Sequence, residues 1–371
     1  MIKVMNIISD SNIGGAGRVL INYLRYRDRA QFDLAVVVPE GSALIPEIEK
    51  TGARIITARN IAEKSLSLQG ISELRTIIEA EKPDIVHTHG SMSGRIAGKM
   101  AGAKVVYTRH SVFPNAKYLT VPPGKWANKL FNETFADSII AVSPAAADNL
   151  TEAGISHEKI EVVMNGVEAV ERVSDESVKA TRERWGVGDG ELVVGILARI
   201  EEYKGHEDIL RAVKTLRHDG VAVRLIIAGT GAYEDSVRRT CAQLGLEDTV
   251  VFEGFVSDVA PFLSSIDLQI NASWGTEATS MSILEGYSMG LPAILSDYGG
   301  NPYLSDNGRG AVLFRARDVK DMADKLSLLA SSPEILKSIG AEARELYLSR
   351  FTVEEFAKNT ENVYRRTMEM H

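Results

Sequence analysis

The sequence predicts an α/β protein of two successive parallel-sheet domains facing each other across a crevice. The chain has 371 residues, long for one hydrophobic core and suited to two. Short apolar runs alternate with segments whose apolar residues recur at helical spacing, the pattern of parallel sheets covered on both faces. That rhythm breaks once, between Asn165 and Gly190, in a charged stretch holding Asn165-Gly166, Gly186, Gly188 and Gly190. The stretch reads as an inter-domain connection with one helix near Asp175–Trp185. The expected boundaries are 1–168 for the first domain, 169–190 for the connection and 191–351 for the second domain.

The elements follow in order. Ile2–Ile8 is an apolar strand, the turn Ser11–Arg18 is glycine-rich, and Val19, Leu20, Tyr23 and Leu24 then keep helical spacing. Further strands are expected at Leu34–Val38, Arg54–Thr57, Ile85–Thr88, Lys104–Thr108, Ser138–Val142 and Lys159–Met164. Helical patterns such as Ser72–Glu81, Gly94–Ala101 and Ala145–Ala153 lie between them. The second run has strands at Leu192–Leu197, Arg224–Ala228, Val250–Phe252, Leu268–Ala272, Ala293–Leu295 and Ala311–Leu313. From Asp318 to Met370 the pattern is helical, broken near Ser332-Pro333 and Phe351-Thr352.

Composition excludes several classes. A formal net charge of -8 leaves no general basic footprint, so nucleic acid is not an expected partner. The single cysteine, Cys241, rules out an internal disulfide and fits a reducing cytosol. Val237, Cys241 and Leu244 share a helical face, which makes Cys241 a core residue. The N-terminus runs from a strand into a glycine turn and has no signal-peptide cleavage pattern. No apolar run is long enough to span a bilayer.

The chemistry-bearing residues fall in the loops that follow strands, where open α/β sheets bind ligands. Gly14, Gly15 and Gly17 free the backbone amides at a helix start for a phosphate, although the spacing is not that of a dinucleotide fingerprint or a P-loop. Taken alone, a tight turn without a ligand explains them slightly better. His87 and His89 alternate on one strand face. They lack cysteine or acidic neighbours at zinc-ligand spacing, which favours a structural role at the sheet edge or support of the site over metal. His110 follows a strand end on the ligand side. Arg199 and Lys204 follow the first strand of the second domain and could neutralise a diphosphate. Gly229 and Gly231, with Glu253 about twenty residues on, form half of a dinucleotide motif. In residues 271–302, Glu277 and Glu285 are separated by seven residues across the start of a helix. Free amides at Ser280, Met281 and Ser282 would lie between them. This offers hydroxyl acceptors at both ends and phosphate donors in the middle, against a simpler account of Glu277 as a helix-dipole partner.

The ordered set resembles the family 4 retaining glycosyltransferases of GT-B fold. The resemblance rests on Gly14-Gly15-Ala16-Gly17-Arg18, His87-Thr88-His89-Gly90 and Thr108-Arg109-His110. Asn165-Gly166-Val167, Arg199, Lys204-Gly205, the E-x7-E pair Glu277/Glu285 and the following Gly290-Leu291-Pro292 run complete it. It implies two Rossmann-like domains, with the tail 352–371 crossing back to the first. It implies a nucleotide diphosphate sugar as co-substrate, without cofactor or metal. Arg199 and Lys204 would hold the diphosphate as electrostatic catalysts, Glu285 the ribose, and Glu277 the sugar hydroxyls. Backbone at Gly254, Phe255 and Val256 would hold the base. Gly14 and Gly15 would admit the phosphate, His110 would contact the donor sugar, and Gly229, Thr279, Ser280, Met281 and Ser282 would line the donor site. UDP is the default base because nothing selects guanine. Where the family has glycine after the first glutamate, this chain has Ala278, then Thr279, which narrows the sugar pocket.

A saccharide or lipid-linked acceptor is expected on the first domain. There the segment 111–137 combines Phe113, Tyr118, Trp126, Leu130, Phe131 and Phe135 with Lys117, Lys125 and Lys129. A helix packing its apolar side on the sheet explains it best; peripheral contact with the inner face of a membrane stays open. The competing functions are a nucleotide-sugar epimerase of the same fold, a non-catalytic nucleotide-sugar-binding partner, and an NAD-dependent dehydrogenase built on Gly229, Gly231 and Glu253.

Overall fold

The computed structural model describes residues 1–370 and divides into two compact units, 1–166 with 353–370, and 167–352. The last residue of the expected C-terminal segment, His371, lies outside the described residues.

The first unit is built on seven parallel strands: β1 (Ile2–Ile8), β2 (Phe32–Pro39), β3 (Arg54–Ala58), β4 (Ile85–His89), β5 (Lys104–Arg109), β6 (Ser138–Ala141) and β7 (Ile160–Val162). Their order is β3-β2-β1-β4-β5-β6-β7. The chain starts mid-sheet, winds outward to β3, and returns to the other side of β1 as β4. In β1 and β2, Ile7, Ile8, Val36, Val37 and Val38 are all fully buried, as strands covered on both faces require. The helix Gly15–Tyr26 buries the expected Val19, Leu20, Tyr23 and Leu24.

The helix Val353–Glu369 belongs to this unit and closes one face of its sheet. Tyr364 is wholly buried, packs against Tyr23 and Phe32 with ring centroids 5.9 and 5.8 Å away, and reaches His87 with its hydroxyl. Burying one such aromatic contributes about 2–3 kcal/mol. Thr367 bonds Ser138 at 2.8 Å, and Glu361 accepts from the Asp28 amide at 2.7 Å.

The second unit has six parallel strands: β8 (Leu192–Leu197), β9 (Val223–Ala228), β10 (Val250–Gly254), β11 (Leu268–Asn271), β12 (Ala293–Ser296) and β13 (Ala311–Phe314). Their order, β10-β9-β8-β11-β12-β13, repeats the scheme, with the reversal between β8 and β11. Its core contains Cys241, 2% exposed, in the role the helical spacing gives it.

Two regions differ from the sequence reading. The stretch 169–190 carries the expected helix, Asp175–Arg184, but is grouped with the second unit and does not stand apart from both. Trp185 explains this. It is 2% exposed, sits edge-on to Phe262 at 5.9 Å, and its indole N–H donates to Glu253 at 2.8 Å. A buried indole needs such an acceptor, and the many exposed charges around it hid the anchor. In the first unit the helix Gly124–Thr134 packs only part of its apolar surface. Asn132 is buried and accepts from Arg95 at 2.8 Å, while Trp126 and Leu130 remain 66% and 70% exposed.

Candidate active site

In the second unit, the loops after β8 and β11 meet where the strand order reverses, the place where open sheets of this kind bind ligands. Lys204 Nζ donates to Glu277 Oε2 at 2.6 Å. The same oxygen accepts from Asn271 Nδ2 at 3.1 Å and Ser273 Oγ at 3.0 Å. Glu277 is 5% exposed. Burial alone would raise its pKa; the Lys204 charge and the hydrogen bonds from Lys204, Asn271 and Ser273 outweigh burial and hold it below the ordinary carboxylate value. A dipole or capping role does not describe this residue, since its carboxylate is bound to a lysine and a strand end. All three of these bonds fall on Oε2, which leaves Oε1 outside the cluster.

The backbone locks this arrangement. Trp274 N–H donates to Tyr203 O at 2.9 Å, and a Cβ on Gly275 would stand 2.4 Å from Tyr203 Cβ. Gly205 has φ +74° and lies so close to Ala272 O that a Cβ there would come within 2.4 Å. Gly300 N–H donates to Glu277 O at 3.0 Å. Tyr203 also joins the two cations: its hydroxyl accepts from Arg199 Nη2 at 3.3 Å, and Lys204 Nζ lies 5.8 Å from its ring centre. Arg199 itself is exposed.

Sequence reasoning missed Asn271, Ser273 and Tyr203. Two polar residues alternating at the end of an otherwise apolar strand were the available signal for the first two. Tyr203 carried none.

The remaining expected residues fall along the same sheet end. Gly229 N–H donates to Gly254 O at 2.7 Å, so the loops after β9 and β10 are tied together, with Phe255 72% exposed just beyond and Val256 half-buried. From β10 to β11 there are three strand spacings, about 14 Å. Ser280 caps the helix Met281–Ser288 without a side-chain cap bond; its hydroxyl instead meets Ser282 Oγ at 3.2 Å. Thr279, Met281, Ser282 and Glu285 are half-buried on this turn and the start of the helix.

The half-motif at Gly229 and Gly231 has a packing cause. A Cβ on Gly229 would stand 1.9 Å from Ala198 O, and one on Gly231 2.2 Å from Ile200 O. Glu253 is taken by Arg184 at 2.7 Å and Trp185 at 2.8 Å. The residues that suggested a dinucleotide motif are therefore accounted for by the fold.

In the first unit, Gly14 caps the helix Gly15–Tyr26 with φ -96°, and neither Gly14 nor Gly15 has any atom within 4 Å of where a Cβ would stand. Only Gly17 is required by packing, with Leu44 2.6 Å from its Cβ position. The strand β4 carrying His87 and His89 lies between β1 and β5, so these histidines are interior to the sheet, not at its edge. Their rings are 4.4 Å apart. His89 Nδ1 lies 2.9 Å from His110 Nε2, and His89 Nε2 lies 3.2 Å from Asn6 Oδ1. Burial pushes His110 down to about 4 and His87 to about 3, so these imidazoles are neutral near pH 7. His110 is half-buried at the end of this chain, not a free surface histidine.

Among the described residues no group of three or more His, Cys, Asp or Glu could hold a metal ion, and no helix is long and apolar enough to cross a membrane.

Comparison with known proteins identifies the family. Residues 13–171 match the family described as Glycosyltransferase Family 4, and residues 191–332 match Glycosyl transferases group 1. EpsD of Bacillus subtilis is 26% identical over 313 residues, covering 80% of each chain. The alpha-monoglucosyldiacylglycerol synthase of Streptococcus pneumoniae is 26% identical over 81% of this chain and 70% of its own. Among solved structures, Anabaena HepE in complex with UDP and glucose superposes with a TM-score of 0.84 at 21% identity, over 98% of this chain and 100% of its own. With two parallel sheets of seven and six strands and both family matches in chain order, the protein belongs to the family 4 glycosyltransferases of GT-B fold and is a sugar-transferring enzyme that uses nucleotide sugars.

Proposed function

We propose that the protein transfers a hexose from a UDP-sugar to a hydroxyl acceptor with retention at the anomeric carbon and without a metal. The carrying observation is the buried Lys204–Glu277 pair, braced by Asn271 and Ser273 where the second sheet reverses. An ammonium has three donors, so its bond to Glu277 leaves two for phosphate oxygens. Arg199, held beside it by Tyr203, adds a bidentate donor. The amides at Ser280–Ser282 supply an anion-binding helix start. The sugar hydroxyls fall to Glu277, the ribose to Glu285, and the base to the Gly254–Val256 turn. Within the first unit by itself, the open backbone at Gly14 and Gly15 suits close approach of a phosphate, and we assign His110 to a substrate hydroxyl. The bond from C1 to the leaving phosphate breaks as the acceptor oxygen bonds C1 on the same face, and the acceptor proton passes to the phosphate. Lys204 and Arg199 stabilise the developing phosphate charge, which makes them the principal catalysts. UDP is favoured by the HepE complex. In a transfer assay with UDP-hexoses, Lys204→Met should lower product formation by about 10²–10³ while a folded spectrum persists; full activity in that variant would refute the assignment.

The acceptor is a saccharide or a lipid-linked hydroxyl, and we place its capture at the cytoplasmic membrane face. Phe113, Tyr118, Val121, Trp126 and Leu130 are 49%, 67%, 53%, 66% and 70% exposed. Arg109, Lys117, Lys125 and Lys129 accompany them against a single carboxylate, Glu133, in residues 109–134 of a chain of net charge -8. Apolar and aromatic side chains with a cationic surround suit an anionic bilayer surface. The synthase from Streptococcus pneumoniae, by its name, works on a diacylglycerol lipid. Flotation with phosphatidylglycerol-rich vesicles should recover the wild type and lose Trp126→Glu; equal recovery of both would remove the membrane from this proposal.

A further inference from the structure

His87 and His89 share a strand face but differ in what they touch. His87 meets two hydroxyls, Tyr364 Oη at 2.7 Å and Thr108 Oγ1 at 2.6 Å. A hydroxyl can give or take a hydrogen, so His87 suits either tautomer and passes no constraint on. His89 meets a carbonyl oxygen at one end, Asn6 Oδ1, and the His110 ring at the other. Asn6 and His89 are 0% and 6% exposed, so their hydrogen bonds are to each other and to His110 with little competition from bulk water.

With the Asn6 amide in its observed orientation, counting hydrogens sets the chain. An amide oxygen only accepts, so Asn6 Oδ1 requires a hydrogen on His89 Nε2. Burial first, then the nearby His87 and His110, hold His89 far below the ordinary imidazole value; the ring carries one proton and its Nδ1 is a lone pair. The 2.9 Å contact to His110 Nε2 then needs its hydrogen from His110. His110 is neutral too, which leaves its Nδ1 unprotonated. The alternative has a definite form. With the Asn6 amide turned over, Nδ2 would donate to His89, every proton in the chain would reverse, and His110 Nδ1 would become a donor. In the observed orientation the buried Nδ2 has no hydrogen-bond partner; the reversed one would strand the carbonyl instead, at comparable cost.

We infer that Asn6 and His89 are positioning residues that set the tautomer of His110, so that it presents Nδ1 as a hydrogen-bond acceptor for a substrate hydroxyl. The inference deepens the proposed role of His110 and rests on it for its functional part. An acceptor nitrogen takes the hydrogen of a sugar hydroxyl and thereby fixes the direction of that hydroxyl's lone pairs, which a donor N–H would reverse.

The test is a long-range proton–nitrogen correlation spectrum of the whole protein labelled with 15N-histidine near neutral pH, assigned with His89→Gln and His110→Gln. The expected result is a pyrrole-type Nε2 and a pyridine-type Nδ1 on both His89 and His110. A pyrrole-type Nδ1 on His110, or two protonated nitrogens there, overturns the inference. In folded Asn6→Leu the His110 signals should move toward the average of both tautomers, and kcat should fall about tenfold with the nucleotide-sugar KM unchanged, the loss expected for one well-placed hydrogen bond. Unmoved His110 signals in that variant also overturn it. The spectrum is read without substrate, so it stands or falls separately from glycosyl transfer itself.

Discussion

Where the strand order reverses, the first unit places Asn6, His89 and His110, and the second places Lys204, Glu277, Asn271 and Ser273. The topology is the same and the electrostatics are opposite. The imidazoles are buried without a counter-charge, so burial drives them neutral. Glu277 is buried as deeply, but beside an ammonium, and stays ionised. One unit offers hydroxyl-scale hydrogen bonding and the other offers charge. On the proposed function, an anionic donor would draw its binding energy from the charged second unit. It also shows that position in an α/β sheet marks a ligand site without stating the ligand's chemistry.

The largest way to break the comparison is to remove the charge. Lys204→Met should lower kcat by about 10²–10³, the range for losing one preorganised transition-state donor, and should raise the Glu277 pKa above its present depressed value. A steady-state assay of the variant against His110→Gln, in which the loss should be smaller, checks this. If His110→Gln is the more damaging of the two, the units have been ranked the wrong way.

The glycine turns sharpen the same contrast. Gly229→Ala would press a Cβ against Ala198 O and should cost several kcal/mol, beyond a usual point mutation. Gly15→Ala meets open space and should leave the melting temperature within about 1 °C while weakening donor use. Melting curves and donor KM values for the pair read both effects.

Acid should loosen the first unit first. His87 and His110 have folded pKa values of about 3 and about 4, and His89 is also well below 6.5. The unfolded chain therefore takes up protons first, and stability falls as pH drops from about 6.5, by up to about 1.4 kcal/mol per unit for each histidine. The second unit has only His206, at about 4, among such histidines. The Glu277 contribution, from a depressed folded pKa, is complete above about 4.3 and is lost only as pH falls through the folded value. Asp10 and Glu361, raised by burial in the first unit, act in the opposite sense at the acid end. Hydrogen exchange resolved by unit, at pH 7 and pH 5, should show the first unit opening more; equal opening would contradict the neutral-imidazole description.

The smallest effect belongs to Glu253. Glu253→Gln removes the charge facing Arg184 and should cost about 1 kcal/mol without altering donor choice. A change in nucleotide preference would reopen the dinucleotide reading.

The fold was legible because buried strands and amphipathic helices leave strong periodic signals, as in Val19, Leu20, Tyr23 and Leu24. The interruption at 169–190 misled because Trp185 is one anchor among exposed charges. Lys204 and Glu277 could be named from their places after strands. The partners that fix them, Asn271, Ser273 and Tyr203, are ordinary polar residues that touch near neighbours in the chain, and their meaning comes from the Lys204–Glu277 contact, which joins residues 73 apart. The glycines show the limit most clearly: Gly15 and Gly229 look alike in sequence, yet one faces open space and the other a backbone carbonyl.

The most direct measurement of the central claim is the thermal shift produced by UDP in the wild type, Lys204→Met and His110→Gln. Charge in the second unit as the source of donor binding predicts stabilisation by UDP in the wild type and in His110→Gln, and its loss in Lys204→Met. Undiminished stabilisation of Lys204→Met by UDP would contradict it.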